Sequence, residues 1–215
     1  MKKVFMLISI LSINLVSFAQ IPSNYISPKF KELATNHQEL AVLPFDFRLE
    51  LASDNYELID FEKLRKLELT ESMEVQKSIH QYLLDRKAKK RFKVSFQPIK
   101  QTNQLLEANN ISHENIAQYT RKQLIDILGV DGIVYGSITA AQVISESDAI
   151  LYGFFSGYFP DTYSNNMTIK VADADQGEVI WDYYTTQGGS FDRTQVSLVR
   201  NMLKRAARRF PYKRL

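Results

Sequence analysis

The densest cluster of acids in the chain is Asp173, Asp175 and Glu178, in the run Val171-Ala172-Asp173-Ala174-Asp175-Gln176-Gly177-Glu178. Two carboxylates facing each other across a cleft are what glycoside hydrolysis needs. Acids at alternate positions are also how a calcium loop begins, but this run lacks the third acidic position, the glycine at position six and the distal glutamate. Acids beside a glycine are ordinary turn chemistry, and the run reads as a structural turn. His37, His80 and His113 are too scattered for metal-ligand spacing, and the chain has no cysteine to complete a zinc site. His80 and His113 read as polar residues on helix surfaces or at helix starts. Ser137 follows Gly136 but lacks the second glycine of a nucleophile elbow. Gly129, Gly132 and Gly136 precede a strand, not a helix, and make no dinucleotide fingerprint. From these residues we expect no enzyme, no metal site and no cofactor.

Two other groups point to binding. Tyr152, Phe154, Phe155, Tyr158 and Phe159 crowd five rings into a short glycine-bearing stretch. Rings at that density are either buried in the domain's own sheet or meet a partner protein. A strand pair inserted into a membrane is a third option, for which the stretch is short and weakly alternating. Arg200, Lys204 and Arg208 recur at helical spacing on one face, with Arg205 and Arg209 beside them. Such a row is a solvated face or a patch for acidic partners and anionic lipid headgroups, hence for peripheral membrane contact. Trp181, flanked by Val179 and Ile180, reads as a core ring.

The chain opens Met1-Lys2-Lys3, continues in an apolar run from Val4 to Val16, and exits through Ser17-Phe18-Ala19-Gln20. That is the pattern of a secretory signal peptide over 1–19, and the apolar run is short of the about 20 residues that span a membrane. Without cysteine the mature chain carries no disulfide and no lipid-bearing cysteine. The expected location is therefore the periplasm or the cell exterior, not as a lipoprotein. Lys2 and Lys3 supply two of the +3 formal charges of the whole sequence. The remainder is nearly neutral, and nucleic acid is not an expected partner.

These groups must be held by elements that the pattern foretells. Residues 20–38 read as an irregular arm with Pro22 and Pro28, and 39–215 as one α/β domain. Leu40 to Phe45 is a first buried strand. Asp46 to Leu69 is mixed: either the strand continues past Pro44 or a hairpin arm projects. Ser72 to about Lys89 is a helix with Val75, Ile79, Tyr82 and Leu83 inward and a cationic last turn. Phe92 to Pro98 alternates as a strand, and Thr102 to Asn109 makes a short helical turn. Ser112 starts a helix whose stripe is Ile116, Tyr119, Leu124, Ile127 and Leu128, with Gly129 at its end in positive φ. Ile133 to Thr139 is a strand covered on both faces, in which Gly136 admits a neighbouring backbone or ring. Met167 to Thr186 is a hairpin turning at Asp175-Gln176-Gly177. Gly188-Gly189-Ser190 breaks the sheet, and Asp192 caps a last helix with Val196, Val199, Leu203, Ala206 and Phe210 inward, ended by Pro211. The sum is an α/β (α+β) fold: a mixed sheet of about four to six strands with helices packed on it.

Several of these pieces, in this order, resemble one group. They are Ala41-Val42-Leu43-Pro44-Phe45, Thr102-Asn103-Gln104-Leu105-Leu106, Leu128 to Ile138, Val171-Ala172-Asp173 with Gly177-Glu178-Val179-Ile180-Trp181, and the last helix running into Phe210-Pro211-Tyr212. The set resembles bacterial cell-envelope proteins built like the N-terminal domain of TolB, the penicillin-binding-protein activator LpoB and the periplasmic domain of the curli secretion channel CsgG. The resemblance covers most of Leu40 to Tyr212. It implies a helix-packed sheet, no catalytic centre, and work done by binding another envelope protein. The chain departs from it in lacking the lipid-bearing cysteine of many relatives and in the segments Asp46–Leu69 and Tyr152–Phe159. The expected function is thus a secreted envelope accessory acting through protein binding. The alternatives are a subunit of a membrane-associated oligomer or export channel and, third, a hydrolase with an unrecognised site.

Overall fold

A computed structural model describes residues 23–50, 61–89, 92–142, 163–189 and 195–212. The chain order is β1 (Ser23–Ile26), α1 (Phe30–Ala34), β2 (Glu39–Val42), β3 (Asp46–Glu50), α2 (Phe61–Ala88), β4 (Ser95–Phe96) and α3 (Ile99–Ala108). A short 3-10 turn (Ile116–Gln118) follows, then α4 (Arg121–Leu128), β5 (Gly132–Gln142), β6 (Tyr163–Asp173), β7 (Val179–Gly189) and α5 (Gln195–Arg209). The expected mixed sheet is present, with seven strands.

β5 is its spine. It pairs antiparallel with β6 along its full length, Gly132 opposite Asp173 through to Gln142 opposite Tyr163. Its other edge is shared. β2 runs parallel to it over Leu40–Val42 against Gly132–Val134, and β3 runs parallel over Asp46–Glu50 against Ser137–Ala141. The two are one neighbouring strand interrupted at Leu43-Pro44-Phe45, so the strand does continue past Pro44. Proline, with fixed φ and no N–H, is a residue at which a ladder breaks. β7 pairs with β6 across the hairpin and extends to Gly188 and Gly189, which lie opposite Ser164 and Tyr163. The expected break there is absent, because the hairpin partner supplies a full ladder to both glycines.

One face of the sheet carries the main core. Val134, Ile138, Met167, Ile169, Val171 and Trp181 meet Val75, Ile79 and Leu83 of α2 and Met202, Leu203 and Ala206 of α5. Phe210 anchors its aromatic part, stacked on Tyr212 at 5.0 Å and edge-on to Trp181 at 5.4 Å. The indole N–H of Trp181 donates to Asn24 Oδ1 at 2.9 Å, so the buried ring leaves no polar group unmatched. Among the described residues the other face is covered at one end, where Leu106 of α3 and Leu124, Ile125 and Leu128 of α4 pack on Ala41, Leu43 and Ile133. Further along β5, Tyr135, Ser137 and Thr139 stay half-exposed on that face. The expectation that both faces of this strand are covered holds only at its start.

The other differences have local causes. α2 begins eleven residues before Ser72, because its first three turns run beyond the core and carry no buried stripe to announce them. The strand expected over Phe92–Pro98 is reduced to two residues, although Phe92, Val94 and Phe96 do face the core. Residues 20–38 supply β1 and α1, β1 pairing antiparallel with β7. Ser112 does not cap α4. Thr120 does, accepting from Gln123 N while the Gln123 side chain accepts from Thr120 N, a capping box. Gly129 ends α4 at φ 64°, as expected. Asp192 and Val196 lie outside the residues whose side chains are described. In the rest of the last stripe, Val199, Leu203, Ala206 and Phe210 are buried.

A methyl group at Gly136 would collide with the Thr168 carbonyl oxygen and sit 2.9 Å from the Phe45 ring, whereas the surroundings of Gly129 are empty. Gly136→Ala is expected to cost about 3 kcal/mol or more, as overpacking against backbone does. Gly129→Ala costs only the left-handed backbone penalty, about 1 kcal/mol. Urea unfolding of both variants checks the ranking. A second expectation concerns His80, whose burial lowers its pKa below the ordinary 6.5 against the opposing effect of its hydrogen bond to the Gln97 carbonyl. Its neutral form stabilises the fold above the unfolded pKa, and that contribution is lost as pH falls through the lower folded value. His80→Gln should therefore flatten the fall of the urea midpoint between pH 7 and pH 5.

Candidate functional site

The acids singled out from the sequence do not converge. Asp175 and Glu178 are exposed, Glu178 taking Lys29 Nζ at 3.3 Å, while Asp173 turns inward and is 4% exposed. Its Oδ2 accepts from Asp175 N at 2.7 Å, which holds the turn, and its Oδ1 meets His37 Nε2 at 2.7 Å. His37 Nδ1 in turn lies 2.6 Å from the Tyr212 hydroxyl. Burial, then the charges of Asp173 and Asp131, push the Tyr212 pKa well above 10, so the phenol keeps its proton. Tyrosine, histidine and carboxylate in a row look like a proton relay, yet all three are buried and serve to tie β2's approach, the hairpin and the end of the chain together. Sequence reading missed this cluster because its members are separated by 136 and 175 positions.

The other histidines are also structural. His80 is buried, not on a helix surface as expected, since α2 presents it to the Gln97 carbonyl at 3.1 Å. His113 is half-buried in the loop after α3 and bonds the Phe45 carbonyl at 3.2 Å. Of the basic row, Arg200, Lys204 and Arg208 are exposed, with Lys204 Nζ 5.8 Å over the Tyr82 ring. Arg205 is half-buried and reaches inward to Gln187 Oε1, so it is not part of that solvated face. Tyr152, Phe154, Phe155, Tyr158 and Phe159 lie outside the described residues.

One concave feature of the described surface is a groove of about 440 Å³. It forms where the neighbour of β5 breaks at Pro44. Leu43, Pro44, Ile133 and Tyr135 make its floor, α4 closes one side with Leu124, and the start of α2 closes the other with Arg65, Glu68 and Leu69. The volume and the apolar floor with a few polar groups fit a ligand-binding cleft. Its outer charges are matched. Arg65 Nη2 lies 3.0 Å from Glu114 Oε1, Arg48 Nε lies 3.3 Å from Asp46 Oδ1, and Glu68 Oε1 accepts the edge N–H of Leu49 at 2.9 Å. The pairs are exposed and each contributes at most about 1 kcal/mol.

The inner end is different. Tyr135 sits in register with Lys170 of β6, which pairs with Asp182 of β7 at 3.2 Å. The Tyr135 hydroxyl is shut off from solvent and interacts with the Arg121 guanidinium. Burial raises its pKa above 10, and the nearby cations Arg121 and Lys170 oppose that rise without cancelling it. Arg121 opens α4 and is steadied by the hairpin turn, its Nε donating to Gly177 O at 2.7 Å. Gly177, at φ 68°, is packed so close to Arg121 and Lys122 that a Cβ would crowd both. The turn read from Asp175-Gln176-Gly177 thus positions a cation of the groove. Neither Tyr135 nor Arg121 was singled out from the sequence. The one available signal was a tyrosine on the outward side of an otherwise apolar strand.

No family model matches the chain, and no curated protein matches it. Solved structures similar to it include a PelC dodecamer from Paraburkholderia phytofirmans, at 8% identity and TM-score 0.44 over 88% of this chain and 97% of that one. The lipoprotein GNA1162 from Neisseria meningitidis matches at 10% identity and TM-score 0.39 over 79% and 94%. The C-terminal domain of LpoB from Salmonella enterica matches at 12% identity and TM-score 0.35 over 70% and 82%. LpoB is one of the proteins named from the sequence. Likenesses this distant carry no argument about activity.

The buried cluster generates a direct expectation. Tyr212→Phe keeps the stack on Phe210 but leaves His37 Nδ1 without its partner, and should cost about 1–3 kcal/mol in urea unfolding. In a double-mutant cycle with His37→Phe the two losses should fall short of adding, by about 0.5 kcal/mol or more.

Proposed function

We propose that this chain is an exported, non-catalytic protein of the bacterial cell envelope that holds a segment of another envelope protein in the groove beside Pro44. The observation that carries the reading is the groove itself, an apolar concavity rimmed by polar and charged side chains, among which Arg121 has no carboxylate partner in the described residues. The buried row His37, Asp173 and Tyr212 is bonded within itself and does not line the groove, and of the acids and histidine that do, Glu68 holds the Leu49 N–H, Glu114 pairs with Arg65, Asp46 with Arg48, and His113 bonds the Phe45 carbonyl. Export is supported by the leader pattern over 1–19. The exposed row Arg200, Lys204 and Arg208 lies on α5, which packs on the opposite face of the sheet, and is not needed for this reading.

Affinity capture in the source bacterium with the tagged chain tests it. Wild type should recover one envelope protein reproducibly. Ile116→Glu, which puts a charge on the groove wall, should lower recovery by about tenfold or more, as loss of a central anchor does. Arg200→Glu should leave it unchanged. Undiminished recovery by an Ile116→Glu protein with a wild-type unfolding midpoint would sink the reading.

A further inference from the structure

The core face of the sheet, away from α4, is covered by α2 and α5 lying side by side. Two stretches of sequence, 86–100 and 195–215, carry the end of α2 and the whole of α5. Between them they hold fourteen of the 27 lysines and arginines and none of the 24 acids, so a chain of small net charge is strongly polarised. The fold brings the two stretches together. The Phe92 ring lies 5.2 Å from the Phe210 ring, and Lys204 Nζ lies 5.8 Å over the Tyr82 ring. Arg86 and Lys89 follow Tyr82 at helical spacing, Lys93 lies just beyond the end of α2, and Arg200, Lys204 and Arg208 recur at the same spacing on α5. Lys89, Lys93, Arg200 and Lys204 are exposed and make no ion pair among the described residues. Asp85, the acid just before the first stretch, takes a hydrogen bond from Gln81 at 2.8 Å. Cations four apart on a helix repel one another, and an anionic surface laid against them removes that repulsion.

From this we infer that α2 and α5 form a docking face for an anionic lipid bilayer, its phosphate headgroups meeting Lys89 and Lys93 on one side and Arg200 and Lys204 on the other. An acidic protein fits the face less well. A protein interface has an apolar, aromatic centre within its polar rim. The large exposed apolar side chains of the described residues, Tyr25, Ile26, Phe61, Leu67 and Leu69, lie on β1 and the first turns of α2, and none is on α5 or the second half of α2. A plane of headgroups needs no such centre, because basic side chains are drawn to it by charge alone. The groove opens on the half-covered face of the sheet, so a chain docked this way keeps it clear of the bilayer. The inference goes beyond the protein-binding reading and does not depend on it.

Co-sedimentation of the purified chain with vesicles tests it. Vesicles of phosphatidylethanolamine with phosphatidylglycerol should capture the chain, vesicles of phosphatidylcholine should not, and added salt should weaken the capture. Arg200→Gln with Lys204→Gln should weaken it about twentyfold, and Lys89→Gln with Lys93→Gln by a similar factor, at about fivefold for each cation near the headgroups. Lys29→Gln with Lys122→Gln removes two cations already paired with Glu178 and Asp126, and should leave capture unchanged. No capture, equal capture by the neutral vesicles, or an equal loss in the Lys29 and Lys122 variant overturns the inference. So does tighter binding of a polyglutamate peptide than of anionic vesicles, lost with the same substitutions on α2 and α5, which assigns the face to an acidic protein.

Discussion

The rest of the structure depends on how β5 is flanked. On one side β6 follows it for eleven residues without interruption. On the other, its neighbour must stop at Pro44 and start again at Asp46. Gly136 lies opposite that interruption, and there the Phe45 ring and the Thr168 carbonyl come as near as they do only because no Cβ stands between them. The interruption leaves a hollow on the half-covered face, and the same stretch that creates it also roots the main core through Phe45. Fold and groove therefore share one cause, a proline on one strand facing a glycine on the next.

What the sequence reveals of this arrangement follows burial. The helix stripe of Val75, Ile79 and Leu83 is periodic because it meets the core, whereas the first turns of α2, with Phe61, Leu67 and Leu69 exposed, have no periodicity to read. β1 is exposed at all four positions and owes its existence to register with β7, so no local pattern could foretell it. The confusion of Ser112 with the true cap has a physical basis as well. Both Ser112 and Thr120 are competent caps, and only the reciprocal Gln123 bond decides between them. The groove was not legible for a different reason. Arg121, Tyr135 and Lys170 come from a helix start and two strands, and register alone brings them together.

Residues that carry chemistry in other settings are spent here on shape. Asp131, within the Val130-Asp131-Gly132 run that follows α4, accepts from Gln38 N at 2.7 Å and Glu39 N at 2.9 Å, clamping the start of β2 to the start of β5. Gln97 donates to the Leu128 carbonyl and accepts from Thr102, while Gln76 donates to the Val42 carbonyl. Each of these buried polar groups has its partner, which is the condition on which a core tolerates them.

The tie between His37, Asp173 and Tyr212 has a kinetic side. Position 37 appears early in synthesis, but its imidazole cannot be satisfied until position 212 has been made, and the rings around Phe210 wait for the same moment. Contacts of such long sequence separation form late. Until the segment that carries Phe210 and Tyr212 docks, the aromatic end of the core stays unsealed and the His37 ring lacks one of its two partners.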